Sequence, residues 1–310
     1  YLQPLPEESI VALRQNSDAL LEKLLVSESL SVKDISAAEQ DFFAELVSRF
    51  KLSVTALNNY LKDPQEFLLN SLLKVPRAKT PNLAFGTAVH AALEHFFLNL
   101  QKNNILTEAE LLAIFERALD AEYLSPLDCA ERKKQGAEVL AFYYAEALRQ
   151  PRPALFVERL FGSGTSKAIL VDGEHEIQLS GRMDKVELLD SHARLVRVVD
   201  YKTGSPKTDG VIQGTASTAE YSERELALPL TIRGRYQRQM VFYKLLAELD
   251  KTFSYTVSSV ALDFVEPGGS RKNTHAEREF TISEEAVADL RELIIMVMRE
   301  IRELKFLHAR

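Results

Sequence analysis

The sequence predicts an α/β protein: a mixed sheet flanked by helices, with a helical extension at its N-terminal end. Three observations predict it. Apolar residues recur at three- and four-residue intervals through roughly the first 150 positions, which is helical spacing. Beyond Pro151 and Pro153 the pattern changes to the runs and alternations of strands. Helical spacing then returns over 234–249 and again from Ser283 onwards. Helices, a strand-rich stretch and interleaved helices together indicate one sheet covered by helical layers.

The elements follow in order. Residues 7–26 and 33–50 read as two helices of the extension. Ser53 can cap a helix running into Tyr60, and Asp63 followed by Pro64 starts the next, because a capping oxygen satisfies free helical N–H groups and proline fits a first turn. Residues 83–101 form a strongly apolar helix, Thr107 with Glu110 makes a capping box, and a further helix covers 127–149. ALFVERLFG, HEIQLSGRMDKVELL and ARLVRVVDYK read as strands, the last two joined by a turn at Asp190–His192. Residues 204–234 carry little periodicity and read as irregular. GRYQRQMVFYKLLAEL is helical, SYTVSSVALDFVE and REFTI are strands, and the last helix presents Leu290, Leu293, Ile294, Val297, Ile301 and Leu304 as one stripe. The expected division is an extension over 1–50 and a unit over 51–310, helical to 150 and sheet-containing after it.

Composition bounds the function. The chain has 310 residues, 46% hydrophobic and 27% charged, enough to bury a substantial core. Its net charge of −7 argues against a surface that grips nucleic acid everywhere, though not against a local basic groove. Cys129 is the single cysteine, so neither an internal disulfide nor a cysteine-held iron–sulfur cluster can form, and a reducing, cytoplasmic setting is expected. No apolar run is long enough to cross a bilayer, so no membrane partner is expected. Residue 1 is Tyr, which fits a piece of a longer chain. GSGTSK at 162–167 lacks the spacing of a phosphate loop, so no ATP motor is visible here.

The chemistry gathers around VVDYKTG at 198–204. Side chains alternate along a strand, so Val196, Val198, Asp200 and Lys202 share one side, apolar within the sheet and charged at its end. Such a pair is either a solvated intrastrand ion pair or two arms of a site at the sheet's end. Asp184, in the preceding GRMD, would be brought close to Asp200 by a hairpin, and two neighbouring carboxylates repel unless a cation lies between them. A divalent metal is the natural solution. His90 follows Gly86 on the apolar helix and reads as a core histidine or a ligand. Tyr236, Gln239, Met240 and Tyr243 fall along one stripe, either as core or as groups that orient a phosphate or stack a base.

GTAVH around His90, GRMD ending at Asp184, VVDYKTG and QMVFY, in that order, resemble the nuclease domain of RecB-like and AddB-like recombination enzymes within the PD-(D/E)XK superfamily, whose fold is restriction-endonuclease-like. The resemblance runs from about Leu52 to Leu249, with LSVTALNNYLKDPQEFLLNSLLKVP as its lead-in. It implies that Asp200 and Lys202 are the D-x-K pair, Asp184 the earlier aspartate, His90 the added histidine, and Gln239 and Tyr243 a Q-x-x-x-Y pair. Met183 stands where the superfamily name has proline.

The expected activity is metal-dependent hydrolysis of DNA phosphodiesters. His90, Asp184, Asp200 and the Tyr201 carbonyl would hold Mg²⁺ or Mn²⁺, without an iron–sulfur cluster, while Asp184, Asp200, Lys202, Gln239 and Tyr243 would act in catalysis. Lys207, Arg235 and Arg238 are candidates for phosphate contacts. The partners implied are DNA, single-stranded or at duplex ends, and a helicase motor in a longer chain or a partner subunit, serving DNA repair and recombination. The alternative is a nuclease-like module that holds DNA or docks a partner without cutting.

Overall fold

The computed structural model describes residues 37–149, 151–216, 221–268 and 274–308. The helix expected over 7–26 lies outside them. The first described helix, α1, is Ala37–Ser48. Ser53 then caps α2, Val54–Lys62, by accepting from the Ala56 N–H, and Asp63 caps the one-turn α3, Pro64–Phe67. A π-helical turn over Leu68–Leu72 follows. Thr80 caps α4, Pro81–Gln101, with proline at its start. Thr107 and Glu110 form the expected capping box of α5, Glu108–Asp120, and α6 spans Pro126–Arg149.

The strands are β1 (Ala154–Phe161), β2 (Ala168–Asp172), β3 (His175–Leu179), β4 (Gly181–Asp190) and β5 (Leu195–Lys202). Two short helices, α7 (Asp209–Ile212) and α8 (Glu223–Leu226), lie within the segment read as irregular. Then come α9 (Arg235–Leu249), β6 (Thr256–Gly268), β7 (Thr274–Thr281), α10 (Glu284–Arg302) and a 3₁₀ turn over Lys305–Leu307. Two readings need correction. HEIQLSGRMDKVELL is not one strand: it breaks at Ser180, whose N–H donates to the Leu52 carbonyl, leaving β3 and β4 in different sheets. AILVD, not assigned from the sequence, is β2, and it pairs with β3 as a separate hairpin.

The main sheet has the order β1-β4-β5-β6-β7, antiparallel except for the parallel β5–β6 pair. Two apolar clusters lie on its two faces. Val196 and Val198 of β5 pack with Met240, Phe242 and Leu246 of α9 and Leu290, Ile294 and Val297 of α10. Val199 and Tyr201 of the same strand pack with Val89, Leu93 and Phe97 of α4, Phe115 of α5 and Leu140 and Tyr143 of α6. This is the period-two alternation of a strand buried on both sides. Val47 of α1 belongs to the first cluster.

A reversal of facing in β1 and β4 bears on the site. Arg159 pairs with Met183, and Val157 with Lys185, in one ladder. Met183 joins the α9–α10 cluster and Arg159 reaches Thr252 beyond the end of α9. Val157 packs on the opposite cluster, and the Lys185 ammonium lies 4.0 Å from the Phe97 ring centroid. Residues two apart should share a face, so the ladder turns over between them, at Glu158 and Asp184. Glu158 has φ 50, a left-handed conformation uncommon for a side chain of its kind.

Candidate active site

Three elements bring together His90 of α4, Glu158 of β1 and Asp184 of β4, one ligand-type atom of each lying within 4.8 Å of the others. His90 Nδ1 is 3.5 Å from Asp184 Oδ2. Asp184 Oδ2 also accepts the Tyr201 N–H at 2.9 Å, which ties β4 to the end of β5. Glu158 is held on its outer side by Arg182 Nε at 2.7 Å. The sequence reading missed Glu158. It is the single acid in ALFVERLF, and a carboxylate inside an apolar strand was the signal that could have found it.

Asp200 stands next to this group but faces the α9 side with Val196 and Val198, as alternation requires. Tyr243 Oη donates to its Oδ1 at 2.5 Å and Gln239 Nε2 donates to the same oxygen at 2.8 Å. The Lys202 ammonium lies 2.5 Å from Oδ2 and donates to Gln239 Oε1 at 2.8 Å. Gln239 and Tyr243, one turn apart on α9, therefore clamp the aspartate and the lysine together. The Lys202 ammonium also sits 5.4 Å from the Tyr236 ring centroid.

Tyr201 faces the other layer, its ring stacked on Phe97 and set edge-on to His90. Gly86 permits a close approach of another element. A Cβ there would stand 3.1 Å from Thr203 Oγ1, so its absence lets α4 close on the end of β5. Of the basic candidates, Arg235 is exposed beside Tyr236 and Lys207 is half-buried after β5. Arg238 is a correction. It is 2% exposed, and its guanidinium meets Glu225 at 2.7 Å, Asn58 and the Ile232 carbonyl, so no surface remains for a phosphate.

The electrostatics separate the carboxylates. Burial pushes the Glu158 carboxyl up, and the charge of Asp184 adds to it, reaching about 7 against the opposing Arg182 and His90. Burial also pushes Asp184 up, but the hydrogen bond and charge of His90, with the Tyr201 N–H and Lys202, outweigh it and hold that carboxyl below the usual value. Asp200 is held above it, by burial and by Asp184 against Lys202. Burial lowers His90, yet Asp184, Asp200 and Glu158 together raise it.

The donor set fits a divalent cation. His90 Nδ1 is buried without a hydrogen-bond partner, while Glu158 Oε2 and Asp200 Oδ2 are met by the Arg182 and Lys202 cations at 2.7 and 2.5 Å. A buried polar atom left like the imidazole nitrogen is costly unless something completes it. One nitrogen and several carboxylate oxygens suit Mg²⁺ or Mn²⁺.

A model of the PD-(D/E)XK nuclease superfamily matches residues 51–310. Among solved structures, the chain is similar to a protein of Eubacterium rectale named as a candidate exonuclease, with 12% identity, a TM-score of 0.47, and coverage of 90% of this chain and 86% of that one. It is also similar to the structure of SSO0001, with 12% identity, a TM-score of 0.31 and 85% of each chain covered. No curated protein matches the sequence.

Proposed function

The chain belongs to the PD-(D/E)XK nuclease superfamily, and from that premise we propose that it is a metal-dependent deoxyribonuclease that hydrolyses phosphodiester bonds at the group formed by His90, Glu158, Asp184, Asp200 and Lys202. The observation that carries the reading is the meeting of an imidazole and two carboxylates from three separate elements, beside an aspartate–lysine pair clamped by Gln239 and Tyr243.

His90, Glu158 and Asp184 would hold Mg²⁺ or Mn²⁺. Asp200 would join them through Oδ2, since Oδ1 already accepts from Tyr243 and Gln239, and the Tyr201 carbonyl would complete the set. A divalent ion there supplies charge neutralisation at the scissile phosphate and a more acidic water. The chain's own residues do the rest. Lys202, positioned by Gln239, directs its ammonium at the attacking water or the phosphate oxygen. Tyr243, donating to Oδ1, fixes the orientation of the Asp200 carboxylate beside Lys202. Arg235, exposed beside Tyr236, and Lys207, half-buried after β5, would contact backbone phosphates. Likeness of the motifs to recombination nucleases supports a place in DNA repair, beside a helicase motor in a longer chain or in a partner subunit.

The test is cleavage of end-labelled single-stranded and duplex DNA in Mg²⁺ or Mn²⁺, with Asp200→Ala and Lys202→Ala beside the parent protein. Loss of cleavage in both variants is the expected result. Equal cleavage by parent and variants would mean that the activity belongs to a contaminant.

A further inference from the structure

A groove of about 630 Å³ lies between the start of α2, the π-helical turn and Ser180, away from the metal-type group. Its cations are Arg49, Lys51 and Lys74, and no carboxylate lines it among the described residues. In a chain of net charge −7 that local composition is a departure, and it gives the groove a positive field. Phe50 supplies an aromatic wall, while Asn59 and Asn70 supply amides able to meet sugar or base edges. The cations are available. Lys74 is exposed, and the pair that Arg49 makes with Glu45 leaves the two side chains 80% and 64% exposed, where pairing is weak and screened. Lys51 is anchored at the rim by donating to the Gly162 carbonyl at 2.7 Å.

One residue of the groove lies close to the site along the chain. Ser180 lines it and directly precedes β4, so Asp184 lies four strand positions onward, about 13 Å at the ordinary rise per residue. Arg182 stands midway, its side chain 54% exposed and paired to Glu158. Arg182 thus adds one cation between the groove's Ser180 and the carboxylates along β4.

We infer that this groove binds a single strand of DNA and delivers it to the site; the inference rests on the nuclease reading above and adds the path of the substrate to it. Basic side chains along a narrow cleft with an aromatic wall are how proteins hold single strands without reading sequence. A volume in the range of small-ligand pockets takes nucleotides one strand wide and not the body of a duplex.

Binding of a fluorescent oligothymidylate of about twenty nucleotides, measured in EDTA over a series of salt concentrations, tests it without any need for cleavage. The variant is Arg49→Gln with Lys74→Gln, both exposed, and melting followed by circular dichroism checks that it folds. Expected is a loss of affinity of at least about fivefold, and a slope of log affinity against log salt shallower by about 1.4, from roughly 0.7 per charge on a single strand. A control pair on α5 and after α4, Arg117→Gln with Lys102→Gln, keeps the parent slope. An unchanged slope in the groove variant, an equal fall in the control, or tighter binding of a blunt duplex with the same dependence would each overturn the groove. Failure of the parent protein to cut DNA would defeat the nuclease reading instead, because binding in EDTA is measured without any cleavage and decides the groove by itself.

Discussion

Glu158 and Asp184 lie between the paired rungs Val157–Lys185 and Arg159–Met183 of the β1–β4 ladder, where both strands turn their faces over. The two carboxylates are therefore forced together by the backbone, and burial with mutual repulsion pushes the Glu158 carboxyl up to about 7.

That relationship has a pH consequence. Without metal, the folded protein keeps the Glu158 proton to a higher pH than the unfolded chain does, so the stability this group contributes is full below the ordinary glutamate range, falls as pH rises to about 7 and is lost above it. A bound cation needs the ionised form, so metal affinity should rise across the same interval. Melting temperatures in EDTA and in excess Mn²⁺ between these limits check both signs. Glu158→Gln should flatten the EDTA profile and weaken Mn²⁺ binding about 10- to 100-fold, the scale of a disturbed ligand environment. A flat profile in the parent protein would remove Glu158 from the site.

Tyr243→Phe deletes one hydroxyl and leaves the ring in its packed place. Asp200 then loses one short hydrogen bond but keeps Gln239 and Lys202. The expectation is a fall in kcat of about tenfold or more with little change in KM, as for a group that positions a reacting one. Steady-state cleavage of a labelled oligonucleotide reads it, and a change confined to KM would argue that Tyr243 contacts substrate instead.

Lys202→Met should separate binding from chemistry. The ammonium is lost, but His90, Glu158 and Asp184 are untouched, so Mn²⁺ binding followed by calorimetry should be at least as tight as in the parent. Cleavage should fall by about 10² or more, the ordinary range for a proton-handling group. Cleavage that persists at the parent rate would assign the lysine a merely structural part.

Glu225→Gln tests the corrected role of Arg238. Glu225 also accepts the Gly234 N–H ahead of α9, so the pair fixes the start of the helix that carries Gln239. Leaving the buried guanidinium without its partner should cost about 3–5 kcal/mol in chemical denaturation. The salt dependence of DNA binding should not change. A shallower slope with unaltered stability would return Arg238 to the DNA contacts.

Much of this was legible locally. The caps at Ser53, Asp63 and Thr107 are set by short-range chemistry between a side chain and N–H groups a few positions on, and these helices start where the sequence predicts. Asp200 and Lys202 project together because alternation along one strand is a property of that strand alone. The D-x-K pair, Asp184, His90 and the Gln239–Tyr243 pair were all visible as motifs in order. The break at Ser180 was not, because it depends on Leu52, more than a hundred positions earlier, taking up a hydrogen bond beside β3.

What the sequence determined by itself is the fold class, the capped helix starts and the residue types gathered at the end of a sheet strand as a candidate site, all of which rest on contacts within a few residues. What only the tertiary structure decided is which of those residues meet. Glu158 enters the group because two strands reverse their facing at one rung, and Asp200 stands beside it in a clamp because α9 packs under β5 and brings Gln239 and Tyr243 to it. Arg238 leaves the surface because Glu225 and Asn58 close around it. Facing and burial are set by partners distant along the chain, and no local pattern of charge or hydrophobicity specifies them.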